Sequence, residues 1–360
     1  MTSSAEGQPR ALIVGVGLIG GSIGLGLREA GWFVSGIDAD GGRAQAAQAL
    51  GALDQIGDDA DAELVVIATP AGAVVDLARE LLEHHRGEHV LFTDVAGIKG
   101  SIGASISDAR FIGGHPMAGS ELIGLEGARA DLFVGATWVL TPQEATPATS
   151  YARLVGIIRT LGATAIALPA DDHDRLVAHV SHVPHLVAAS LMNQATEVAS
   201  DDAALLQLAA GGFRDMTRIA AGAPGIWPDV CIENRVAILE ALDALSLQLS
   251  SVRAALENSE RSTILELLAR ASEARQALPG KGVQAERLSE VRVPVTDRTG
   301  VIAEVAQRAS DLGISVVDVE IAHSAEGGSG VLIMVVPTDD AKRYADSLRT
   351  IDYACTVHNL

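Results

Sequence analysis

The chain has 360 residues, a formal net charge of −20 and 2 cysteines. Its length suits two or three domains, and its charge argues against nucleic acid or an anionic membrane surface as partner. An anionic small substrate needs local arginines to overcome that field. Cys231 and Cys355 have neither disulfide-framework nor metal-ligand spacing. The first residues lack a basic region leading into an apolar run, and no apolar segment is long enough to span a bilayer. The expectation is a cytoplasmic protein with reduced thiols and no membrane or nucleic-acid contact.

Residues 11–14 read as a short buried strand, followed at once by Gly15-Val-Gly-Leu-Ile-Gly20. Gly15 allows the tight turn, Gly17 lets a pyrophosphate approach the backbone, and Gly20 permits close helix–strand packing. Leu18 and Ile19 lie where a helix amino terminus offers N–H groups to phosphates. Residues 23–30 continue the helix, closed by Gly31. A second strand over 33–37 ends in Asp38, the spacing at which an acid binds the adenine ribose hydroxyls. Together these predict a Rossmann-type site. Asp38 repels a 2′-phosphate and favours NAD, whereas Arg43 is close enough to serve one and keeps NADP open.

The alternation continues with a helix over 41–50, a strand over 63–68, a helix near 72–85 and a strand over 89–93. Strands and helices alternating at this pace predict a doubly wound parallel sheet. Thr69 and Pro70 fall at a strand's carboxyl end, as part of the cofactor cleft or as a plain turn. Lys99 has two readings, substrate contact or solvation. In Phe111-Ile-Gly-Gly-His-Pro-Met-Ala-Gly-Ser-Glu121, His115 lies between two glycines and a proline, on a loop just past a strand end. A near-neutral imidazole there, beside Glu121, suits proton abstraction from a hydroxyl; a turn histidine capping a backbone group is the bland alternative. Strands over 136–140 and 163–168 bracket a helix over 147–161.

From Asp171 apolar residues recur at helical spacing. His179, His182 and His185, spaced by three, share roughly one face of a long helix that Pro184 bends. Zinc is the tempting reading, but no cysteine or third-ligand motif accompanies them, so no metal centre is expected. In Gly211-Gly-Phe-Arg-Asp-Met-Thr-Arg218, Asp215 either forms a surface pair with Arg218 or orients it to grip a carboxylate. A helix from Trp227 to about Glu257 and another over 260–277 carry enough apolar residues to bury a partner face, the mark of a dimer element. After a linker over 278–287, strand 290–295, loop Thr296-Asp297-Arg-Thr-Gly300, helix 301–312, strands 314–322 and 330–336, helix 339–349 and strand 354–358 give the order β-α-β-β-α-β. This is a ferredoxin-like split unit.

The chain resembles the prephenate dehydrogenase family, with its arogenate-using relatives, over roughly residues 10–275. The matching stretches are Gly15-Val-Gly-Leu-Ile-Gly-Gly-Ser22, Ala68-Thr-Pro70, Gly113-Gly-His-Pro-Met-Ala-Gly-Ser-Glu121, Ser181-His-Val-Pro-His185, residues 212–220 and Trp227. The resemblance implies that His115 accepts the proton of the substrate C4 hydroxyl as hydride leaves for NAD. It implies that Arg218 binds a substrate carboxylate, that His185 lies in the substrate pocket, and that the helical region is the core of a homodimer. Ser120, Glu121, His182, Asp215 and Trp227 complete the expected substrate-binding set. Gly97 stands where the family commonly has a serine, so that hydroxyl must come from water or Ser120, or be dispensed with. The Asp297–Gly300 loop and the run at Leu312 resemble an ACT domain, which implies a tyrosine effector bound near Asp297 and Gly300, or an oligomerisation piece that has lost its ligand.

These readings give an α/β chain in four parts: a Rossmann domain over 10–170, an all-α substrate and dimerisation domain over 171–277, a linker over 278–287, and an ACT-like α+β domain over 288–360. The expected reaction is oxidative decarboxylation of prephenate to 4-hydroxyphenylpyruvate, with arogenate as the alternative substrate. A 3-hydroxyacid dehydrogenase would need a lysine on the first long helix, and none occurs between Asp171 and Glu197. A non-catalytic NAD-bound amino-acid sensor is the remaining rival.

Overall fold

The first strand, β1 (Arg10–Val14), is buried on both faces. Ala11 and Ile13 enter one core layer and Leu12 and Val14 the other. β4 (Leu64–Ile67) repeats the pattern, as expected of strands sandwiched between helices. The computed structural model describes residues 7–119, 122, 124–201, 208–222, 224–278, 288–296, 298–323 and 329–359. The expectations for Ser120, Glu121, Asp297 and nearly all of the linker fall outside them.

The chain divides into two compact units, Met1–Ala254 and Ala255–Leu360. The first is built on an eight-stranded sheet of order β3-β2-β1-β4-β5-β6-β7-β8. The new members are β2 (Phe33–Ile37), β3 (Gln55–Ile56), β5 (Leu91–Asp94), β6 (Phe111–Pro116), β7 (Thr137–Thr141) and β8 (Thr164–Ala167). β3 and the short helix α4 (Gly100–Ser105) escape a reading by periodicity because each is only a turn or two residues long. Helices α1 (Leu18–Glu29), α2 (Gly41–Leu50) and α5 (Ala148–Thr160) lie with one core layer, and α3 (Ala71–His84) with α4 lies with the other.

Two expectations need correction. The sheet is parallel from β3 to β6, but β7 runs antiparallel to β6. His115 is therefore inside a strand, opposite Val139, rather than on a loop beyond it. The helix α1 starts at Leu18, at the expected helix amino terminus.

The helical part follows as α6 (Ala170–Val177), a π turn (Ala178–His182) and α7 (Val183–Asp201). Then come α8 (Gly211–Thr217), a 3-10 turn (Arg218–Ala221), α9 (Trp227–Glu233) and α10 (Arg235–Glu257). The single helix expected from Trp227 breaks at Asn234, whose buried side chain is committed elsewhere in the site. On α10, Ile238 and Ala241 are buried with Ala178 and Val183, while Val236, Leu239 and Leu249 are exposed.

The second unit holds α11 (Arg261–Gln276) and a four-stranded antiparallel sheet, order β10-β11-β9-β12. Its elements run β9 (Leu288–Thr296), α12 (Val301–Asp311), β10 (Asp318–His323), β11 (Ser329–Pro337), α13 (Thr338–Arg349) and β12 (Thr356–Asn359). Val291, Val293, Leu332, Met334 and Val336 on the strands pack with Val305, Tyr344 and Leu348 on the helices.

Candidate active site

The turn after β1 has the geometry a dinucleotide needs. Gly15 has φ +92°, and a Cβ built on Gly20 would lie 1.9 Å from the Gly15 carbonyl oxygen, so neither position tolerates a side chain. A Cβ on Gly17 would meet nothing within 4 Å, leaving open space over the amino end of α1. Leu18 and Ile19 open that helix. The Asp38 carboxylate accepts from the Val16 N–H at 2.9 Å and from the Asp40 N–H at 2.9 Å, which fixes it beside the turn. Arg43 also lies on it, at 3.2 Å. Across the turn, the Thr69 hydroxyl is buried without a partner among the described residues, and Pro70 precedes α3. A buried hydroxyl without a partner costs free energy unless something fills its hydrogen bond. The residues present fit a bound dinucleotide.

His115 lies near the carboxyl end of β6, at the same edge of the sheet as the turn after β1, and is held from behind. Its Nδ1 lies 2.9 Å from Nε2 of His173, and Nδ1 of His173 lies 2.8 Å from the Asp174 carboxylate. The carboxylate can only accept, so His173 donates from Nδ1 and its Nε2 is an acceptor. His115 must then donate from Nδ1, which leaves the lone pair of its Nε2 free. A Cβ built on Gly97 would lie 3.6 Å from that Nε2, so the free nitrogen looks onto the space where Gly97 lacks a side chain. Burial, with His173, Lys99 and His182 as further contributors, pushes the His115 pKa well below the usual imidazole value. The imidazole is neutral at pH 7, the state a general base requires.

Asp174 joins the sheet to the helical part. Its carboxylate accepts from the backbone N–H of Lys99 and of Gly100, each at 2.8 Å, capping α4 from another helix. Burial works against its charge. Hydrogen bonds from His173 and these amides outweigh it and hold the carboxyl below the usual range. Asn234 donates to the Asp174 carbonyl oxygen at 2.8 Å and lies 3.1 Å from Nδ1 of His182. His182 meets the edge of Trp227, and His185 stacks on that ring at 3.6 Å between centroids. A Cβ on Gly222 would lie 3.8 Å from His185, so the turn carrying Arg218 abuts the same cluster.

The expected face of three histidines is thus not formed. The π turn adds a residue to the helical repeat, and His179 is exposed while His182 is buried. Lys99 is neither solvated nor free for substrate. It is fully buried against Asp94, whose carboxylate also accepts from the Gly114 and Ala96 N–H groups. Arg218 and Asp215 are both exposed on consecutive turns. His173, Asp174 and Asn234 escaped the sequence reading. The available signal was that His173 and Asp174 share a face with Val177 and Ala178, all four buried.

Burial also pushes His182 down to about 4, against the opposing pull of Asp174, and lowers His185. In the unfolded chain these imidazoles titrate near about 6.5. Below that value the unfolded state binds more protons, so stability is present above it and is lost as pH falls toward about 4. A denaturant midpoint that stays flat between pH 7 and 4.5 would contradict this assignment.

A dinucleotide turn and a neutral histidine at the same carboxyl edge of a doubly wound sheet define a nicotinamide-dependent dehydrogenase. The family model for the nucleotide-binding domain of prephenate dehydrogenase matches residues 23–167, and that for its dimerization domain matches residues 169–270. The chain belongs to the prephenate dehydrogenase family. It is 31% identical to the prephenate dehydrogenase of Bacillus subtilis, across 93% of this chain and 94% of that protein. Among solved structures, Aquifex aeolicus prephenate dehydrogenase in complex with hydroxyphenyl propionate and NAD+ is 26% identical with a TM-score of 0.70, over 76% of this chain and 99% of that one. Synechocystis arogenate dehydrogenase is 30% identical with a TM-score of 0.64, over 74% and 98%.

Proposed function

We propose that the chain oxidises prephenate with NAD to 4-hydroxyphenylpyruvate and CO2. The observation that carries the reading is the free Nε2 of His115, backed by His173 and Asp174. That nitrogen accepts the proton of the substrate C4 hydroxyl. NAD, when bound, supplies the hydride acceptor. Oxidation at C4 and loss of the ring carboxylate as CO2 leave an aromatic phenolate, which takes a proton back. The Asp174 carboxylate, acting through His173, favours the imidazolium formed in between. With Gly97 in place of serine, a Cβ there would lie 3.6 Å from Nε2 of His115, and the assisting hydroxyl would come from water or Ser120, or be dispensed with.

Gly15, Gly17, Leu18, Ile19 and Gly20 would hold the pyrophosphate, Asp38 the adenine ribose, and Thr69 and Pro70 the nicotinamide side. Arg218, oriented by Asp215, would bind a substrate carboxylate, with His182, His185, Trp227 and Glu121 around the rest. We assign residues 10–170 to the cofactor domain, 171–277 to the substrate and dimerisation domain, and 288–360 to an ACT-type ferredoxin-like domain. The β-α-β-β-α-β order and the strand order of its sheet support the last assignment. The exposed leucines of α10 and α11 support a homodimer. No described helix is long and apolar enough to cross a membrane, and a cytoplasmic location fits a pathway enzyme of this kind.

Product analysis tests the chemistry. One NADH and one CO2 per prephenate consumed are expected, whereas NADH without CO2 would remove the decarboxylation step. Asp38→Ala should weaken NAD and narrow its preference over NADP. A wild-type enzyme that already prefers NADP would mean that Arg43, not Asp38, governs the pocket. Tyrosine, as pathway end product, should inhibit through the ACT-type domain, with Gly300 (φ +90°) letting the loop backbone approach the ligand's carboxylate and Asp297 proposed as the partner of its amine. A chain ending near Leu278 should stay active and lose that sensitivity. Equal sensitivity would move inhibition to the His115 cleft.

A further inference from the structure

The helix α3 runs back against the strands, so its carboxyl end lies at the amino edge of the sheet, whereas His115 lies toward the carboxyl end of β6. At that far edge the adjacent residues His84 and His85 converge on one carboxylate. Nε2 of His84 is 3.1 Å from one oxygen of Asp58, and Nε2 of His85 is 3.0 Å from the other. The three ligand atoms lie within 4.8 Å of one another. We propose that Asp58, His84 and His85 bind a divalent transition-metal ion of the zinc class, tying the end of α3 to the loop between β3 and β4.

Two imidazoles and a carboxylate are a donor set this class takes, with water in the fourth position. Tetrahedral bonds of about 2.0–2.1 Å put ligand atoms about 3.3 Å apart. The spacings of His84 and His85 to Asp58, 3.1 and 3.0 Å and made to different carboxylate oxygens, are close to this, and all three ligand atoms already lie within 4.8 Å. Two of the three ligands are pre-positioned. The His85 side chain is 1% exposed, its ring meets the edge of Phe92, and its carbonyl oxygen accepts from Arg110. The Asp58 carboxylate accepts from the Asp59 N–H at 2.7 Å, and Asp59 is itself paired with Arg10. His84, 63% exposed, leaves the site open to solvent. Nδ1 of His85 has no partner among the described residues. The outer hydrogen bond that tightens such sites is therefore missing there, and affinity should be roughly 10–100-fold below that of a fully supported one.

The rival is a plain hydrogen-bonded cluster with no affinity for metal. Calorimetric titration of the untagged, chelator-treated full chain with Zn(II) separates the two, with Mg(II) as control. One Zn(II) per chain is expected, together with a rise of a few degrees in the thermal midpoint. Asp58→Asn and His84→Ala should each weaken binding roughly 100-fold without changing turnover, since the site is remote from the cleft. Co(II) should give a tetrahedral absorption band in the wild type that both variants lose. Absence of Zn(II) binding, or equal binding by wild type and both variants, would overturn the proposal, the latter by locating the ion at other histidines. Neither result touches the reaction assigned to His115.

Discussion

His115→Asn should lower turnover by roughly 10²–10⁴-fold while the Michaelis constant for prephenate stays within a few-fold, the usual share of a positioned general base. Asparagine can keep a hydrogen bond toward His173 but cannot accept the hydroxyl proton. The wild-type rate should fall on acidification only well below the usual imidazole range, because burial and the neighbouring charges disfavour protonation of His115. The variant should lose that limb. Near-normal turnover in His115→Asn would make the residue structural, and the His173–Asp174 support a packing feature.

The second large effect is expected at Arg218. Removing its guanidinium should raise the Michaelis constant by roughly 10–150-fold, since a charged hydrogen bond contributes about 1.5–3 kcal/mol, and lower turnover much less. Lysine should restore part of the loss, because it offers a point charge without the two-pronged fork. Arg218 is exposed on the turn whose end, Gly222, abuts His185, which suits a group that meets an incoming anion on a chain of net charge −20. Steady-state kinetics on Arg218→Ala check this. An unchanged Michaelis constant would assign Arg218 to a surface role with Asp215.

Local chemistry carried most of the first domain. The glycine turn, Asp38 and the strand and helix alternation are each written within short windows, and β2 and α2 match their expected bounds. Paired glycines hid the continuation of β6. They read as a strand end, yet a Cβ on Gly113 would lie 2.5 Å from the Thr141 hydroxyl, and one on Gly114 would lie 2.8 Å from that of Thr93. These glycines permit close strand packing and do not stop the strand. The support behind His115 was invisible for another reason. His173 is 58 residues away, and only folding brings the two rings to 2.9 Å. Lys99 misled because charge in a loop usually means solvent, whereas here Asp94 neutralises it in the core. The three-residue histidine spacing assumed a regular helix, and the π turn removes that assumption.

The substrate assignment is tested most directly by NADH formation by the purified enzyme with prephenate, arogenate and a 3-hydroxyacid side by side. Rapid NADH formation is expected with prephenate, a lower kcat/KM with arogenate and none with the 3-hydroxyacid. Turnover of arogenate in preference to prephenate would contradict the substrate assignment, and NADH formation from none of the three would contradict the enzyme itself.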